Sequence, residues 1–136
     1  MKHIKYRKGY KYQLAEKCRI QTDIIQVSRI KEQFIELDET GLLTIPSGYA
    51  WDGPSGPMLD TANAMRGSLV HDALYQLMRM GLIDQSWRHA ADELFRRICL
   101  EDGMSTFRAW YAFTGVDLFA AGAASADARK KIITAP

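Results

Sequence analysis

The amino-acid sequence predicts an α+β protein in which an N-terminal antiparallel β portion is followed by three helices. Three observations carry this prediction. β-branched and aromatic residues are frequent in residues 1–46, glycine and proline crowd residues 47–58, and apolar residues recur at helical spacing across residues 60–124. The 136 residues are enough for one domain with its own core. We therefore expect a single domain, 1–136, that ends in a tail over residues 125–136.

The β portion is predicted to consist of short strands joined by tight turns. Residues 3–14 alternate polar and bulky side chains, which is typical of a hairpin or of two short strands. Residues 18–30 are rich in isoleucine and predict one or two further strands. A second hairpin is predicted where residues 34–37 and 42–46 flank the turn 38–41.

The segment that follows the strands is predicted to be a shaped loop. Residues 47–57 contain three glycines and two prolines in eleven positions, which argues against regular structure. Tyr49 and Trp51 are large, and we expect them to pack against the rest of the chain. A glycine-rich loop held by aromatic side chains suits backbone carbonyls that point at a ligand or an ion.

Three helices are predicted after the loop, from capping residues, apolar periodicity and glycine stops. They run from Asp60 or Thr61 to Met80 before Gly81, from Asp84 to Glu101 before Gly103, and from Ser105 to the small residues 122–125. Because the connection between the first two helices is short, we expect them to pack as an antiparallel pair. Trp51, Trp87 and Trp110 are expected in the core.

Composition and charge argue against several classes of protein. A net charge of +2 is too small to indicate a nucleic-acid partner, and none is expected. No apolar run is long enough to span a membrane, and no secretory signal is recognisable at the N-terminus. The basic residues at both ends are interpreted as solvated termini, with an anionic surface as the alternative. Cys18 and Cys99 are too few for a disulfide framework, and a bridge between them is left open.

A His-Asp pair in the first predicted helix is the feature that most needs a chemical reason. His71 and Tyr75 are four residues apart and share one helix face, whereas Asp72 points about 100° away from His71. In an antiparallel pair, Asp92 of the second helix lies at the height of His71. Its carboxylate can fix one ring nitrogen and leave the other to take a proton, as an orienting acid does for a general base. Arg88, one helical turn before Asp92, is expected beside this pair.

The loop and Asp72 together suggest a site for a hard cation. Calcium binds several oxygen atoms, many of them backbone carbonyls. The candidate ligands are Asp72 and, from the loop, Asp52, Gly53 and Ser55. A base that activates water beside a cation that polarises a carbonyl is machinery for hydrolysing an ester.

The His71–Tyr75 segment, His-Asp-Ala-Leu-Tyr, resembles the His-Asp-x-x-Tyr helix motif of the secreted phospholipases A2. The resemblance covers about residues 48–99, and the short separation from His71 to Asp92 is similar to that of the bacterial and fungal members. It implies a glycerophospholipid substrate, calcium as cofactor and a phospholipid or membrane surface as partner. It further implies that His71 is the general base, that Asp92 orients it, and that Tyr75 bonds the orienting carboxylate.

A second resemblance concerns the biological setting. Residues 48–57 and 69–75, with the pattern Arg-x-x-x-Asp-x-x-Phe over residues 88–95, resemble small uncharacterised proteins of phages and prophages. This similarity extends over most of residues 40–115. It implies location in the host cytoplasm or the virion, with phage structural proteins as further candidate partners, and it implies no activity. The function predicted from both resemblances is a phospholipase A2-like, calcium-dependent ester hydrolase of phage origin.

The same residues have plainer interpretations, which the sequence leaves open. His71 can be a core histidine, Asp72 a surface carboxylate, Asp52 a turn residue, and Asp92 the partner of Arg88 or Arg96 on its own helix. The alternative function is therefore a non-enzymatic virion or accessory protein, in which a buried His-Asp-Asp network fixes a unique core. A metal site of another hydrolytic type is the third hypothesis.

Overall fold

The computed structural model describes residue 4 and residues 6–7, 12–32, 35–51 and 61–123, with the backbone alone for residues 6–7 and 117–123. Within these ranges short strands precede α-helices, so the α+β prediction is confirmed. The strands are β1 Tyr6–Arg7, β2 Tyr12–Leu14, β3 Cys18–Gln21, β4 Ile30–Glu32, β5 Ile35–Leu37, β6 Leu42–Ile45 and β7 Ala50–Trp51. The helices are α1 Ala62–Arg79, α2 Arg88–Glu101 and α3 Thr106–Ala123.

The strands form two antiparallel sheets, with the orders β1-β2-β7 and β3-β6-β5-β4. The two predicted hairpins are present: Tyr6 pairs with Leu14 in the first, and Glu36 pairs with Thr44 in the second. The residues that join β1 to β2 lie outside the described ranges. Along β3, β5 and β6 the buried positions alternate with more exposed ones, as expected of strands with one face on a core.

The turn of the second hairpin is held by the carboxylate of Asp38. Its Oδ1 accepts hydrogen bonds from the Thr40 hydroxyl at 2.6 Å, the Thr40 N–H at 2.8 Å and the Leu42 N–H at 2.9 Å. These bonds, the hydroxyl bond above all, lower the pKa of Asp38 below its ordinary value, because they favour the charged carboxylate. The turn that the sequence predicts over residues 38–41 is therefore stabilised by the side chain of Asp38.

The described start of the glycine- and proline-rich segment, residues 47–51, differs from its prediction, and residues 52–58 lie outside the described residues. Ala50–Trp51 form a short strand, β7, in which Trp51 pairs with Tyr12 of β2. The backbone N–H of Leu14 also donates to the Tyr49 carbonyl at 2.7 Å. Tyr49 and Trp51 are buried as predicted, and their burial holds the backbone against the side of β2 that does not face β1.

Helices α1 and α2 pack antiparallel, as predicted, because later residues of α1 meet earlier residues of α2. Arg66 contacts Asp102, and His71 contacts Asp92. Gly67 lets the two helices approach closely. A Cβ atom at this position would lie 2.9 Å from the Cys99 sulfur, which is closer than packed atoms come. The short separation brings the polar side chains of the two helices into direct hydrogen-bonding range.

The helix ends follow the predicted signals with one shift. Gly81 has a φ of 73° and ends α1, and the Ser105 hydroxyl accepts the N–H of Arg108 at the start of α3. Asp84 caps a 3₁₀ turn over Gln85–Trp87 by accepting the Ser86 N–H. Consequently α2 begins at Arg88 and not directly after Asp84. None of the helices in the described ranges has the length and apolar character that a membrane span requires.

The core has two parts. The larger part joins the sheets to α1 and α2 and includes Trp51. The smaller part lies between α1, α2 and α3 and is built around Phe95, Ala109 and Ala112. Trp87 packs partly buried against the larger part, but the prediction that Trp110 lies in the core is wrong, because 52% of it is exposed.

Candidate functional site

The candidate site lies between α1 and α2 and is centred on the carboxylate of Asp92. The His71 Nε2 atom lies 2.7 Å from Asp92 Oδ1, and the Tyr75 hydroxyl donates to the same oxygen at 2.5 Å. His71 and Tyr75 reach one partner because they are four residues apart on α1 and so lie on the same face. The structure thus brings together three residues that the sequence analysis singled out.

The proton arrangement of His71 follows from the charge of its partner. An ionised Asp92 carboxylate would only accept hydrogen bonds, and the Nε2 atom that faces it would then carry the ring proton. In the neutral ring, Nδ1 then keeps a free electron pair, and no hydrogen bond to Nδ1 is found in the described part of the chain. The ring is held by Tyr75 and Phe95, whose centroids lie 4.1 and 5.5 Å from that of His71. Its side chain is 15% exposed, so solvent reaches the residue.

Asp92 is fully buried, and only one of its two oxygens is satisfied. Its Oδ2 has no hydrogen-bond partner among the described residues, whereas Oδ1 has both donors. An unsatisfied buried carboxylate oxygen costs free energy, about 1–3 kcal/mol or more for a charged group. Buried polar atoms in native structures seldom lack a partner, so this oxygen marks Asp92 as a candidate functional residue.

Asp72 lies on a neighbouring face of α1, next to β7. The Tyr49 hydroxyl lies 3.2 Å from Asp72 Oδ2 and 2.9 Å from Gln76 Oε1, and its single proton can serve one of these acceptors at a time. One turn earlier in α1, the Trp51 indole N–H donates to the Ser68 hydroxyl at 3.1 Å. The bonds of Tyr49 and Trp51 therefore attach residues 49–51 to α1 within one helical turn of Asp72.

The predicted calcium ligands are only partly described. Asp52, Gly53 and Ser55 lie outside the described residues, which leaves Asp72 as the predicted ligand whose position is known. In the described ranges no three or more His, Cys, Asp and Glu side chains form a group able to hold a metal ion. A carboxylate beside the start of a glycine-rich segment fits one ligand of a calcium site whose remaining oxygens come from backbone carbonyls.

Arg88 and Arg96 are the predicted partners of Asp92 on its own helix, and neither forms a hydrogen bond or ion pair with it in the described part of the chain. Arg88 is half-buried at the first position of α2. Arg96 lies 3.9 Å from Glu93 and places its guanidinium 5.8 Å from the centre of the Phe113 ring. The contacts of Asp92 therefore come from α1 and not from its own helix.

A buried ion pair near the site was not anticipated from the sequence. Arg66 donates to both oxygens of Asp102 at 3.0 Å and to Glu101 at 3.1 Å. Burial opposes the charge of Arg66, but the bonds and charges of Asp102 and Glu101 raise its pKa above the ordinary value. A charged residue in an apolar helix is a recognisable sequence signal, and Arg66 gives that signal just as His71 does. The sequence does not indicate its partner, because Asp102 lies 36 residues away.

Cys18 and Cys99 are both buried and form no disulfide in the structure, which answers the question of a bridge between them. Burial raises the pKa of the Cys99 thiol to about 12, and the nearby charge of Asp102 adds to the effect. We expect neither thiol to react with dithionitrobenzoate in the folded protein at neutral pH, and both to react in denaturant. Rapid titration of one thiol in the folded state would contradict the described burial.

Comparison with known proteins gives a family and no activity. A family model described as "Protein of unknown function (DUF1353)" matches residues 13–116, which is more than half of the chain. The matched range contains α1, α2 and the described site residues. No curated protein and no solved structure matches this chain.

Proposed function

Because this chain belongs to the DUF1353 family of proteins of unknown function, we propose its activity from the site itself: calcium-dependent hydrolysis of a phospholipid ester. The observation that carries the proposal is the contact of His71 Nε2 with the buried carboxylate of Asp92 at 2.7 Å. This contact leaves Nδ1 of a partly exposed histidine as the proton acceptor. The phospholipid class rests on the resemblance of residues 71–75 to the phospholipase A2 motif.

The proposed reaction uses His71 as general base and then as general acid. Nδ1 takes a proton from water while the water oxygen attacks the ester carbonyl carbon. The ester C–O bond then breaks, and the imidazolium returns its proton to the leaving alcohol oxygen. The products are a fatty acid and a lysophospholipid, so atoms and charge balance without any further reactant.

Asp92 and Tyr75 act through His71 and do not touch substrate in this proposal. Asp92 fixes the ring orientation and stabilises the positive charge that the ring gains when Nδ1 is protonated. Tyr75 donates to the oxygen that holds His71 and so restrains the carboxylate. The rings of Tyr75 and Phe95 limit the rotation of the imidazole.

Calcium is proposed to be held by Asp72 together with oxygens of Asp52, Gly53 and Ser55. When bound, the ion would polarise the ester carbonyl and stabilise the developing negative charge. The support for this assignment is the position of Asp72, whose Oδ2 lies 3.2 Å from the hydroxyl of Tyr49, near the start of the glycine- and proline-rich segment 47–57. Asp72→Asn should weaken calcium binding, so fatty acid release should be lost at calcium concentrations that support wild type, while circular dichroism shows that the fold is retained.

The test is release of fatty acid from phospholipid vesicles in the presence of calcium or of a chelator. Wild-type protein should release fatty acid only with calcium, and His71→Ala should lower the rate about 10²–10⁴-fold or more. His89→Ala is the matched control, because His89 is 65% exposed, lies on α2 and pairs with Glu93. Circular dichroism should show that all three proteins are folded.

Two outcomes would refute the proposal. Equal release by wild type and His71→Ala would mean that the activity has another source. No release by either, under conditions in which both are folded, would mean that the chain does not hydrolyse these esters.

One observation favours the non-enzymatic alternative, which is that Asp92 and Tyr75 are almost completely buried. A buried polar network can specify a unique core without chemistry. In that case His71→Ala would change the stability and no activity would be found. A phage setting, in the host cytoplasm or as a virion or accessory component, is proposed for either alternative on the resemblance of residues 48–57 and 69–75 to phage and prophage proteins.

A further inference from the structure

The hydroxyl of Tyr49 lies between two acceptors on α1. It is 2.9 Å from Gln76 Oε1 and 3.2 Å from Asp72 Oδ2. The two acceptors are four residues apart, so they share one face of the helix and are about one turn apart. Because a phenol carries a single proton, only one of these two acceptors receives it at any moment.

The position of the Tyr49 hydroxyl is fixed by the backbone and by burial. The Leu14 N–H donates to the Tyr49 carbonyl at 2.7 Å, and the Gly48 N–H donates to the Leu14 carbonyl at 2.6 Å. The Tyr49 side chain is buried in the core. The oxygen therefore stays beside both acceptors, and its proton can change acceptor by rotation about the bond between the ring and the oxygen.

The side-chain amide of Gln76 is oriented to accept this proton. Its Nε2 lies 3.9 Å from the sulfur of Met80, one turn further along α1, and its Oε1 faces Tyr49. A thioether sulfur is an acceptor only, so the amide nitrogen, which carries the donors, fits the side of Met80. The carbonyl oxygen of Gln76 is thus available to the tyrosine when its proton leaves Asp72.

A cation at Asp72 competes with the tyrosine proton, because both draw on the negative charge of the same carboxylate. When the cation displaces the proton, the buried Tyr49 hydroxyl loses a bond to a charged acceptor. A buried donor that is left without a partner costs free energy. Gln76 lowers this cost because it offers the hydroxyl a second acceptor at 2.9 Å.

We propose that Gln76 makes the Asp72 carboxylate available to calcium by taking over the proton of the Tyr49 hydroxyl. Gln76 is a positioning residue in this account, since it acts through Tyr49 and does not touch the cation. The inference rests on the proposed function for the presence of a cation site at Asp72. It requires no hydrolysis, so calcium binding alone tests it.

The test is calorimetric titration of the purified protein with calcium chloride. Gln76→Leu should bind calcium about tenfold or more weakly than wild type, because the second acceptor is gone when the cation displaces the proton. The matched control is Gln26→Leu, since Gln26 lies in the connection between β3 and β4 and bonds the carbonyl of its neighbour Ile25. This control should bind calcium as wild type does, and circular dichroism should show that each variant is folded.

Tyr49→Phe separates this role of Gln76 from a purely structural one. It removes the proton that competes with calcium and keeps the buried ring, so it should bind calcium at least as tightly as wild type. In the Tyr49→Phe background, Gln76→Leu should change the affinity no more than Gln26→Leu does, because no proton remains to be taken over. Tenfold weaker binding by Tyr49→Phe, or an equal effect of Gln76→Leu in both backgrounds, would overturn the inference.

The outcomes separate this inference from the proposed function. Calcium binding that depends on Gln76 as predicted, without release of fatty acid, would support the inference and refute the hydrolysis. Calcium-dependent release of fatty acid, with Gln76→Leu binding calcium as tightly as wild type, would support the hydrolysis and refute the inference. If wild type binds no calcium, the cation site and the role of Gln76 are both refuted.

Discussion

Replacing Arg66 with alanine is expected to lower the free energy of unfolding by about 3–5 kcal/mol, which is a large share of the roughly 5–15 kcal/mol that stabilises a typical domain. The guanidinium is almost fully buried and bonds both oxygens of Asp102, which is itself buried. Removal of the guanidinium leaves the buried carboxylate of Asp102 without its principal hydrogen-bond partner. Urea denaturation followed by circular dichroism measures the change.

The neighbouring Glu101 supplies the matched control for this prediction. It bonds the same guanidinium at 3.1 Å, but its side chain is 48% exposed. Glu101→Gln should therefore cost no more than about 1 kcal/mol, because water screens and replaces the interaction. The double variant Arg66→Met with Asp102→Leu should recover much of the loss, since no buried charge remains unpaired. Similar losses for Arg66→Ala and Glu101→Gln would contradict the described burial.

Asp92→Asn is expected to lower the rate of ester hydrolysis about 10²–10⁴-fold while the protein remains folded. Asparagine has the same shape, and its carbonyl oxygen can still accept bonds from His71 and Tyr75. Its amide is neutral, so it stabilises the protonated imidazole much less, and it can present donors to Nε2 and favour the wrong tautomer. Initial rates of fatty acid release, with thermal unfolding as the check of folding, measure the effect.

Tyr75→Phe separates the contribution of the Tyr75 hydroxyl, which bonds Asp92, from that of the Tyr75 ring, which packs against His71. It removes one of the two donors to Asp92 Oδ1 and leaves the ring that packs against His71. We expect a loss of stability of about 1 kcal/mol and a smaller loss of rate than in Asp92→Asn. If Asp92→Asn hydrolyses ester at the wild-type rate, the carboxylate has no orienting role.

The helix pair was predictable because its geometry is set by local rules. A helix rises by a fixed amount per residue, so counting outward from the short connection placed His71 and Asp92 at the same height. The 2.7 Å contact agrees with that count. Ser105 marked the start of α3 and Gly81 the end of α1 for the same reason, since both act on neighbouring backbone groups.

Contacts between distant segments could not be derived in this way. The bond between Tyr49 and Asp72 depends on how the sheet packs on α1, and the pair of Arg66 and Asp102 joins residues 36 positions apart. Trp110 was misplaced because hydrophobicity does not reveal which face of an apolar helix packs inward. In α3 the small residues Ala109 and Ala112 allow close approach to α2, so the tryptophan lies outside.

The proton on the His71 ring is the most direct test of the proposed site, because the whole account requires Nδ1 to be the free base. Nitrogen-15 NMR of labelled protein reports which ring nitrogen of each of the three histidines carries the proton, and the His71→Ala spectrum identifies the signals. We predict that the neutral His71 ring is protonated at Nε2, where it donates to Asp92, and unprotonated at Nδ1. A ring protonated at Nδ1 alone would contradict the account, because Nε2 could not then donate to Asp92.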